Sequence, residues 1–162
     1  MQTQITTPRL VLNIITEEDH DFVLSILNTK GWIAFIGDRN VHSTADAIAY
    51  IQKIKNTPNI TYWVARLKND NTPIGIISFI KRSYLDHFDI GFALLPEYSG
   101  QGYAYEAAAM VLSIAGKEEA YKTILATTVP HNTSSVKLLT KLGLHFEKEI
   151  EVDNVKLQVY ST

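Results

Sequence analysis

Gly100 and Gly102, two glycines separated by one residue, lie between an apolar segment and a stretch with helical spacing. Glycine adopts backbone angles that other residues avoid, and it lets a ligand approach the chain closely. The start of the following helix adds unpaired N–H groups and a partial positive charge. The loop 99–104 is therefore predicted to bind a pyrophosphate group through its backbone amides.

Two widespread phosphate-binding motifs do not fit this loop. A Walker loop needs Gly-x-x-x-x-Gly-Lys-Ser/Thr, and no Lys-Ser or Lys-Thr pair follows these glycines. A dinucleotide fingerprint needs a further small residue where this chain has Tyr105, and it follows a βαβ pattern that the preceding segments lack. Taken alone, the loop is also consistent with an ordinary glycine turn.

The segments around the loop predict an α/β chain with layers of helices on a sheet. Apolar residues at helical spacing indicate helices, and branched or alternating apolar runs indicate strands. The predicted strands cover 10–15, 61–67, 74–80, 88–95 and 124–129, with a final pair around the turn 153–154. Predicted helices begin at residue 16, at 43 or 44, directly after the glycine loop, and at about 133. The order β-α-α-β-β-β-α-β-α-β-β favours a mixed sheet covered by helices on both faces.

Local signals mark the ends of these helices. Thr16 and Asp19 fit a capping box, and the helix they begin is predicted to end near Lys30-Gly31, with the glycine in a left-handed cap. The second helix is predicted to stop before Pro58. The last helix is predicted to end at Gly143.

Composition indicates one domain over residues 1–162. The chain has 46% hydrophobic residues, which is enough to build a core. Its 15 basic and 17 acidic residues give a net charge of -2 without a block of like charge, so no nucleic-acid partner is expected. Cysteine is absent, which excludes disulfides, thiolate zinc sites and cysteine nucleophiles. The five histidines lack paired ligand spacing, so no metal cofactor is expected.

The amino terminus does not resemble a targeting segment. Residues 1–9 lack the basic patch and apolar run of a signal peptide, and no apolar stretch reaches the roughly 20 residues of a spanning helix. We therefore expect a cytoplasmic protein without a membrane partner. The sequence is also compatible with a homodimer of this chain.

The loop 99–104 resembles the pyrophosphate loop of the GCN5-related N-acetyltransferase (GNAT) superfamily, which has the pattern Gln/Arg-x-x-Gly-x-Gly/Ala. Ser99 differs from the Gln or Arg of the first position, but the family's loop binds phosphates mainly through backbone amides. The longer string of residues 96–107 is similar to the RimJ/RimL-like branch. Segments 7–12, 90–96 and 132–144 resemble other parts of that branch in the same order, so the resemblance covers almost the whole chain.

This resemblance implies a mixed, mostly antiparallel twisted sheet with a splayed central strand pair. It implies acetyl-CoA as co-substrate, with its pantetheine arm paired like an extra strand along the splayed strand. Asn132 would contact the pantetheine or phosphate region. It also suits a helix cap, and the two roles are compatible. The implied cofactor-binding residues are Phe92, Ala93, Leu94, Gly100, Gln101, Gly102, Tyr103, Ala104 and Asn132.

The set of catalytic residues that the resemblance implies lacks one usual member. Many members carry a Tyr acid four residues before the helix-ending glycine, and this chain has Leu139 there. Ser135 is the candidate proton donor to the thiolate, unless it only satisfies local backbone. Asp89 is the candidate base or relay and His87 its rival, and each could also be a polar strand-edge residue facing water. Trp32, in a predicted loop, is the candidate acceptor-binding residue.

Together these features predict an N-acetyltransferase. The acetyl group would pass to a primary amine, on a protein N-terminus or a small molecule, by direct attack in a ternary complex. Two alternatives remain: a catalytically weak acyl-CoA sensor or structural module of the same fold, favoured by Leu139, and an unrelated nucleotide-binding domain, disfavoured by Tyr105.

Overall fold

The computed structural model describes residues 1–162, and a single eight-stranded sheet contains every strand. The strands are β1 (Gln4–Thr6), β2 (Leu10–Ile14), β3 (Ile60–Leu67), β4 (Pro73–Ile80), β5 (Asp89–Leu94), β6 (Leu125–Thr128), β7 (His145–Val152) and β8 (Val155–Ser161). The helices are α1 (His20–Leu27), α2 (Lys30–Phe35), α3 (Thr44–Asn56), α4 (Tyr103–Ala115) and α5 (Thr133–Lys141). The strand order in the sheet is β1-β2-β3-β4-β5-β6-β8-β7.

The sheet is antiparallel except at its centre, where β5 and β6 run parallel and then separate. β5 pairs with β4 along its whole length, from Asp89 opposite Ile80 to Leu94 opposite Gly75. Its other edge meets β6 through one pair only, Asp89 with Leu125. The predicted splayed pair is therefore confirmed, and the β6 side of β5 beyond Asp89 has no strand partner.

Helices cover both faces of the sheet, as predicted. Successive strand residues point to opposite faces, so Trp63 packs in the larger core whereas Val64 packs in a second core. Apolar residues of α4, including Ala107 and Val111, complete the larger core. The second core is completed by α1, α2 and α3. The layered α/β fold class is confirmed.

The region between α1 and α3 differs from the prediction. Gly31 was expected in a left-handed cap at the end of the first helix, but it lies inside α2 and has no positive φ. The cause is Thr29, whose side chain accepts a hydrogen bond from the Trp32 N–H and so begins a new helix. Trp32 consequently lies in a helix and not in a loop. The strand β1 was also not predicted.

Other local predictions are confirmed. Asp19 accepts a hydrogen bond from the Thr16 N–H at 2.8 Å, which completes the capping box in front of a short 3-10 turn. Ser43 caps α3, and Gly143, which follows the C-cap residue Leu142 of α5, has a φ of 91°. The final strands join through a two-residue turn in which Asp153 and Asn154 have positive φ. None of the helices combines the length and apolar character needed to span a membrane.

Candidate active site

A cleft of about 1000 Å³ opens where β5 and β6 separate. It connects the two faces of the sheet, because its walls include α2 from one face and the glycine loop and α5 from the other. The structure brings most of the predicted site residues together in this cleft. They are Trp32, Asp89, Phe92, Ala93, Leu94, Gly100, Gly102, Tyr103, Ala104, Asn132 and Ser135.

Gln101 and His87 do not line the cleft. The side-chain amide of Gln101 donates to the carbonyl oxygen of Glu97 at 3.0 Å, so it points back along the chain. His87 is exposed in the segment before β5. His87 is therefore a polar residue that faces water, which was the alternative to a catalytic role. Asp89 is not such a residue, because it is only 2% exposed.

The glycine loop has the backbone that its sequence requires. Gly100 and Gly102 have φ values of 74° and 83°, in the region that residues with a side chain rarely occupy. Gly102 is the residue before α4, so the unpaired N–H groups of the first helical turn begin at Tyr103. The loop and helix end together provide the donors that an anionic group needs.

Arg9 fastens this loop to the amino-terminal segment, a contact that sequence analysis did not predict. Its Nε donates to Glu106 Oε2 at 2.6 Å, and its Nη1 donates to the carbonyl oxygen of Gln101 at 3.0 Å. The guanidinium group also stacks 4.2 Å from the centre of the Tyr103 ring. Thr7 Oγ1 donates to the other Glu106 oxygen at 2.6 Å. Burial alone would raise the pKa of Glu106, but the hydrogen bonds from Thr7 and Arg9 outweigh it and hold the pKa below its usual value.

Replacing Arg9 tests whether these contacts hold the loop. The resemblance implies that this loop binds acetyl-CoA, so we expect Arg9→Ala to weaken that binding about three- to tenfold, since the loop loses its guanidinium contacts and becomes more mobile. Calorimetric titration with acetyl-CoA measures the change. Lys55→Ala is the matched control, because it breaks an exposed ion pair with Glu17 of 2.7 Å that lies outside the cleft. Equal affinities for the two variants would show that Arg9 does not position the loop.

The free edge of β5 forms the middle of the cleft. Phe92, Ala93 and Leu94 all line it, and β6 has already separated from β5 at these positions. Backbone N–H and C=O groups that become buried need partners. A ligand with amide groups can provide them by lying along β5 as an additional strand.

Asp89 lies at the point where the two strands separate. Its Oδ2 accepts a hydrogen bond from Arg82 Nε at 2.9 Å, whereas its buried Oδ1 has no partner. Burial raises the pKa of Asp89, and the Arg82 guanidinium offsets only part of that rise. A carboxylate with a raised pKa is a stronger base than an ordinary one. Asp89 can therefore accept a proton through Oδ1.

The start of α5 forms the opposite wall of the cleft. Asn132 caps the helix by accepting a hydrogen bond from the Ser135 N–H at 3.3 Å, so its capping role is confirmed. The hydroxyl of Ser135 makes no hydrogen bond within the protein and remains available to a ligand. Leu139 is 1% exposed and belongs to the larger core, where it cannot donate a proton.

Comparison with known proteins identifies the family. A family model described as "Acetyltransferase (GNAT) domain" matches residues 9–145. YnaD of Bacillus subtilis (strain 168), described as an uncharacterized N-acetyltransferase, is 30% identical over 143 residues, which are 88% of this chain and 83% of that protein.

Solved structures share the fold. An acetyltransferase of the GNAT family from Bacillus anthracis has a TM-score of 0.82 at 24% identity, with 98% of this chain and 97% of that chain covered. RimL, a ribosomal L7/L12 alpha-N-protein acetyltransferase solved with coenzyme A, has a TM-score of 0.85 at 13% identity, with the same coverage of 98% and 97%. The family-model match and the match to YnaD carry the assignment: the chain belongs to the GNAT family of N-acetyltransferases.

Proposed function

We propose that this chain binds acetyl-CoA as co-substrate and transfers its acetyl group to a primary amine by direct attack in a ternary complex. One observation carries the proposal: a single cleft joins the glycine loop, the free edge of β5 and the buried carboxylate of Asp89. The complex of RimL with coenzyme A supports coenzyme A as the ligand of this fold. We also propose that residues 1–162 act as one domain of the RimJ/RimL-like branch, since one sheet contains all eight strands.

The donor half of the cleft suits the parts of acetyl-CoA. The loop with Gly100 and Gly102 would hold the pyrophosphate, and the free edge of β5 would pair with the pantetheine amides. Lys137 and Lys141 line the same half and would add positive charge near the phosphates. The Lys141 Nζ lies 4.5 Å above the Tyr105 ring, directly after the glycine loop.

The remaining polar groups fit the two proton transfers of the reaction. The neutral amine attacks the thioester carbonyl, so that an N–C bond forms and the C–S bond breaks. Asp89 would take the proton from the attacking nitrogen, directly or through water, and Ser135 would donate a proton to the departing thiolate and regain one from solvent. Free N–H groups of β5 would hold the carbonyl oxygen.

Two measurements test this function. A ligand that binds only the folded state raises its melting temperature, so acetyl-CoA is expected to stabilise the protein while ATP and NAD do not. Release of free thiol from acetyl-CoA in the presence of a panel of amines then measures transfer. Stabilisation by acetyl-CoA without thiol release for any amine would favour the second candidate, an acyl-CoA sensor, for which Leu139 in place of the usual acid is the supporting observation.

Ser135→Ala is expected to lower kcat about tenfold while leaving the dissociation constant of acetyl-CoA nearly unchanged. The reason is that the unpartnered hydroxyl would act on the leaving group and not on the bound donor. Single-turnover kinetics and calorimetry separate the two effects. Ser135→Thr keeps a hydroxyl at the same position and should recover most of the rate. An unchanged rate in Ser135→Ala with chemistry limiting would remove this residue from the mechanism.

A further inference from the structure

We propose that the acceptor is an amine that also carries an anionic group, a carboxylate or a phosphate, held by Arg39 and Lys30 at the α2 end of the cleft. This inference deepens the proposed function and rests on it. It concerns the half of the cleft beyond Asp89, which the acetyl donor would not fill.

The charge of the cleft is opposite to that of the chain. The whole chain carries a net charge of -2. The cleft has only one acidic side chain in its lining, Asp89. Its basic lining residues are Lys30, Arg39, Arg82, Lys137 and Lys141. A cationic cleft in an acidic protein indicates that its ligands are anions.

The phosphates of the donor account for only part of this positive charge. Lys137 and Lys141 lie on α5 in the donor half, near the glycine loop. Arg82 is already paired with Asp89 at 2.9 Å. Lys30 and Arg39 belong to α2 and the loop that follows it, and neither takes part in any ion pair. These two cations therefore remain without an acidic partner at the acceptor end.

Arg39 lies close to the reacting centre. It lines the same cleft as Arg82, Tyr84 and Asp89. Burial raises the pKa of the Tyr84 phenol, and the guanidinium groups of Arg82 and Arg39 act against that rise. The nearest acidic residue in sequence, Asp38, accepts a hydrogen bond from the Asn40 N–H at 2.8 Å and forms no ion pair with Arg39. Arg39 also hydrogen-bonds to the Tyr50 phenol, which is neutral. No carboxylate neutralises the guanidinium group, so its positive charge can act on a ligand.

Two buried polar atoms of the cleft lack hydrogen-bond partners that an anionic amine substrate can provide. Trp32, which is 5% exposed, lines the cleft, and its Nε1–H has no acceptor. Asp89 Oδ1 is an acceptor without a donor. A buried polar atom without a partner is costly, so each atom is expected to gain one from a ligand. An amine directed to Asp89 and an anion directed to Trp32 and Arg39 would satisfy both.

Amines with several positive charges do not match the charge of this cleft. A polyamine or an aminoglycoside would bring several positive charges next to Lys30, Arg39 and Arg82 with only Asp89 to compensate them. Like charges at an interface suppress the wrong partner. The charge pattern of the cleft thus disfavours both classes of amine.

Matched acceptors test the proposal. The carboxylate arm compares the C-terminally amidated dipeptides Ala-Glu-NH2 and Ala-Gln-NH2, the phosphate arm compares phosphoethanolamine with ethanolamine, and spermidine is the polycation. We expect kcat/KM to be about fivefold or more higher for the anionic member of at least one pair, and spermidine to be the poorest acceptor. Raising the salt concentration should shrink the preference, because the cations are exposed and screened. The pair with the larger ratio tells which anion the cleft prefers.

Variants assign the preference to Arg39. Arg39→Glu should abolish or invert it, and Arg39→Lys should keep most of it. Lys68→Glu is the control, since it makes the same charge change at an exposed turn residue outside the cleft. Equal rates within both pairs, or a preference that survives in Arg39→Glu, would overturn the proposal while acetyl transfer itself stands.

A binding measurement separates this proposal from the proposed function. Calorimetry of the same acceptors into the complex with coenzyme A measures affinity without chemistry. If no amine is acetylated but the anionic amine binds in an Arg39-dependent way, the anion site stands and the transfer function fails. If no anionic amine binds more tightly than its neutral partner, the anion site is overturned.

Discussion

Gly102→Glu is expected to lower the affinity for acetyl-CoA by about a hundredfold or more. Gly102 has a φ of 83° directly before α4, so a carboxylate on its side chain would lie beside the N–H groups proposed to bind the pyrophosphate. Two like charges about 4 Å apart repel by about 4 kcal/mol at an effective dielectric constant of 20. That energy exceeds the 2.7 kcal/mol or so of a hundredfold change in affinity. Calorimetric titration with acetyl-CoA measures the loss.

Backbone strain has to be separated from this charge effect. A side chain in the left-handed region costs roughly 1–2 kcal/mol of stability whatever its charge. A Cβ at Gly102 would also lie 3.3 Å from Arg9 Nη2. Gly143→Glu is the matched control, because Gly143 has a φ of 91°, has no atom near its added Cβ and does not line the cleft. Both variants should melt at lower temperature, and only Gly102→Glu should lose acetyl-CoA. An unchanged affinity in Gly102→Glu would refute the assignment of the loop.

Asp89→Asn is expected to lower kcat on the order of a hundredfold with little effect on acetyl-CoA affinity. The amide cannot accept the proton of the attacking amine, although it fills the same space beside Arg82. Asp19→Asn is the matched control: Asp19 is also a buried carboxylate, 6% exposed and paired with Arg66, but it does not line the cleft. Both changes leave an arginine without its carboxylate. Only the change at Asp89 should affect the rate.

The pH dependence gives an independent test of Asp89. It accepts a proton only when ionised, so activity should be lost as the pH falls through its pKa, which burial raises above the ordinary value of 3.8. The amine must also be neutral, which makes the rate rise with pH for a second reason. A plot of log(kcat/KM) against pH should therefore have a steeper slope at acidic pH for the unmodified enzyme than for Asp89→Asn. His87→Gln should keep this steep acidic limb of the plot. Loss of that limb in His87→Gln would identify His87 as the base.

Sequence alone could predict the parts of the fold that depend on local signals. The glycine loop, the Ser43 cap and the turn at Asp153-Asn154 all follow from residues that adopt special backbone angles or bond to nearby N–H groups. The short helix α2 was missed because its six residues are too few for an apolar period to stand out. A glycine in such a segment fits either a helix end or a helix interior, and for that reason the prediction of a helix end at Gly31 is wrong.

The contacts that complete the site could not be predicted because they depend on tertiary packing and not on local sequence signals. Arg9 and Glu106 are separated by 97 positions, and nothing in either segment indicates the other. Arg82 and Asp89 are seven positions apart, but only the fold of the intervening segment brings their side chains together. The proposed anion site has the same origin, since α2 reaches the cleft only through the packing of the second core.

The single residue pair between β5 and β6 also affects the mechanics of the molecule. Across that line the two parts of the sheet, β1–β5 and β6–β8, are held together by side-chain packing in the larger core and scarcely by backbone hydrogen bonds. Packing contacts are individually weak and non-directional. The distance between β5 and β6 can therefore change more easily than the distance between two hydrogen-bonded strands. An acetyl-CoA molecule bound along β5 would fill the gap and connect the two parts of the sheet. Its binding would therefore raise the free energy of local unfolding of the carboxyl-terminal strands.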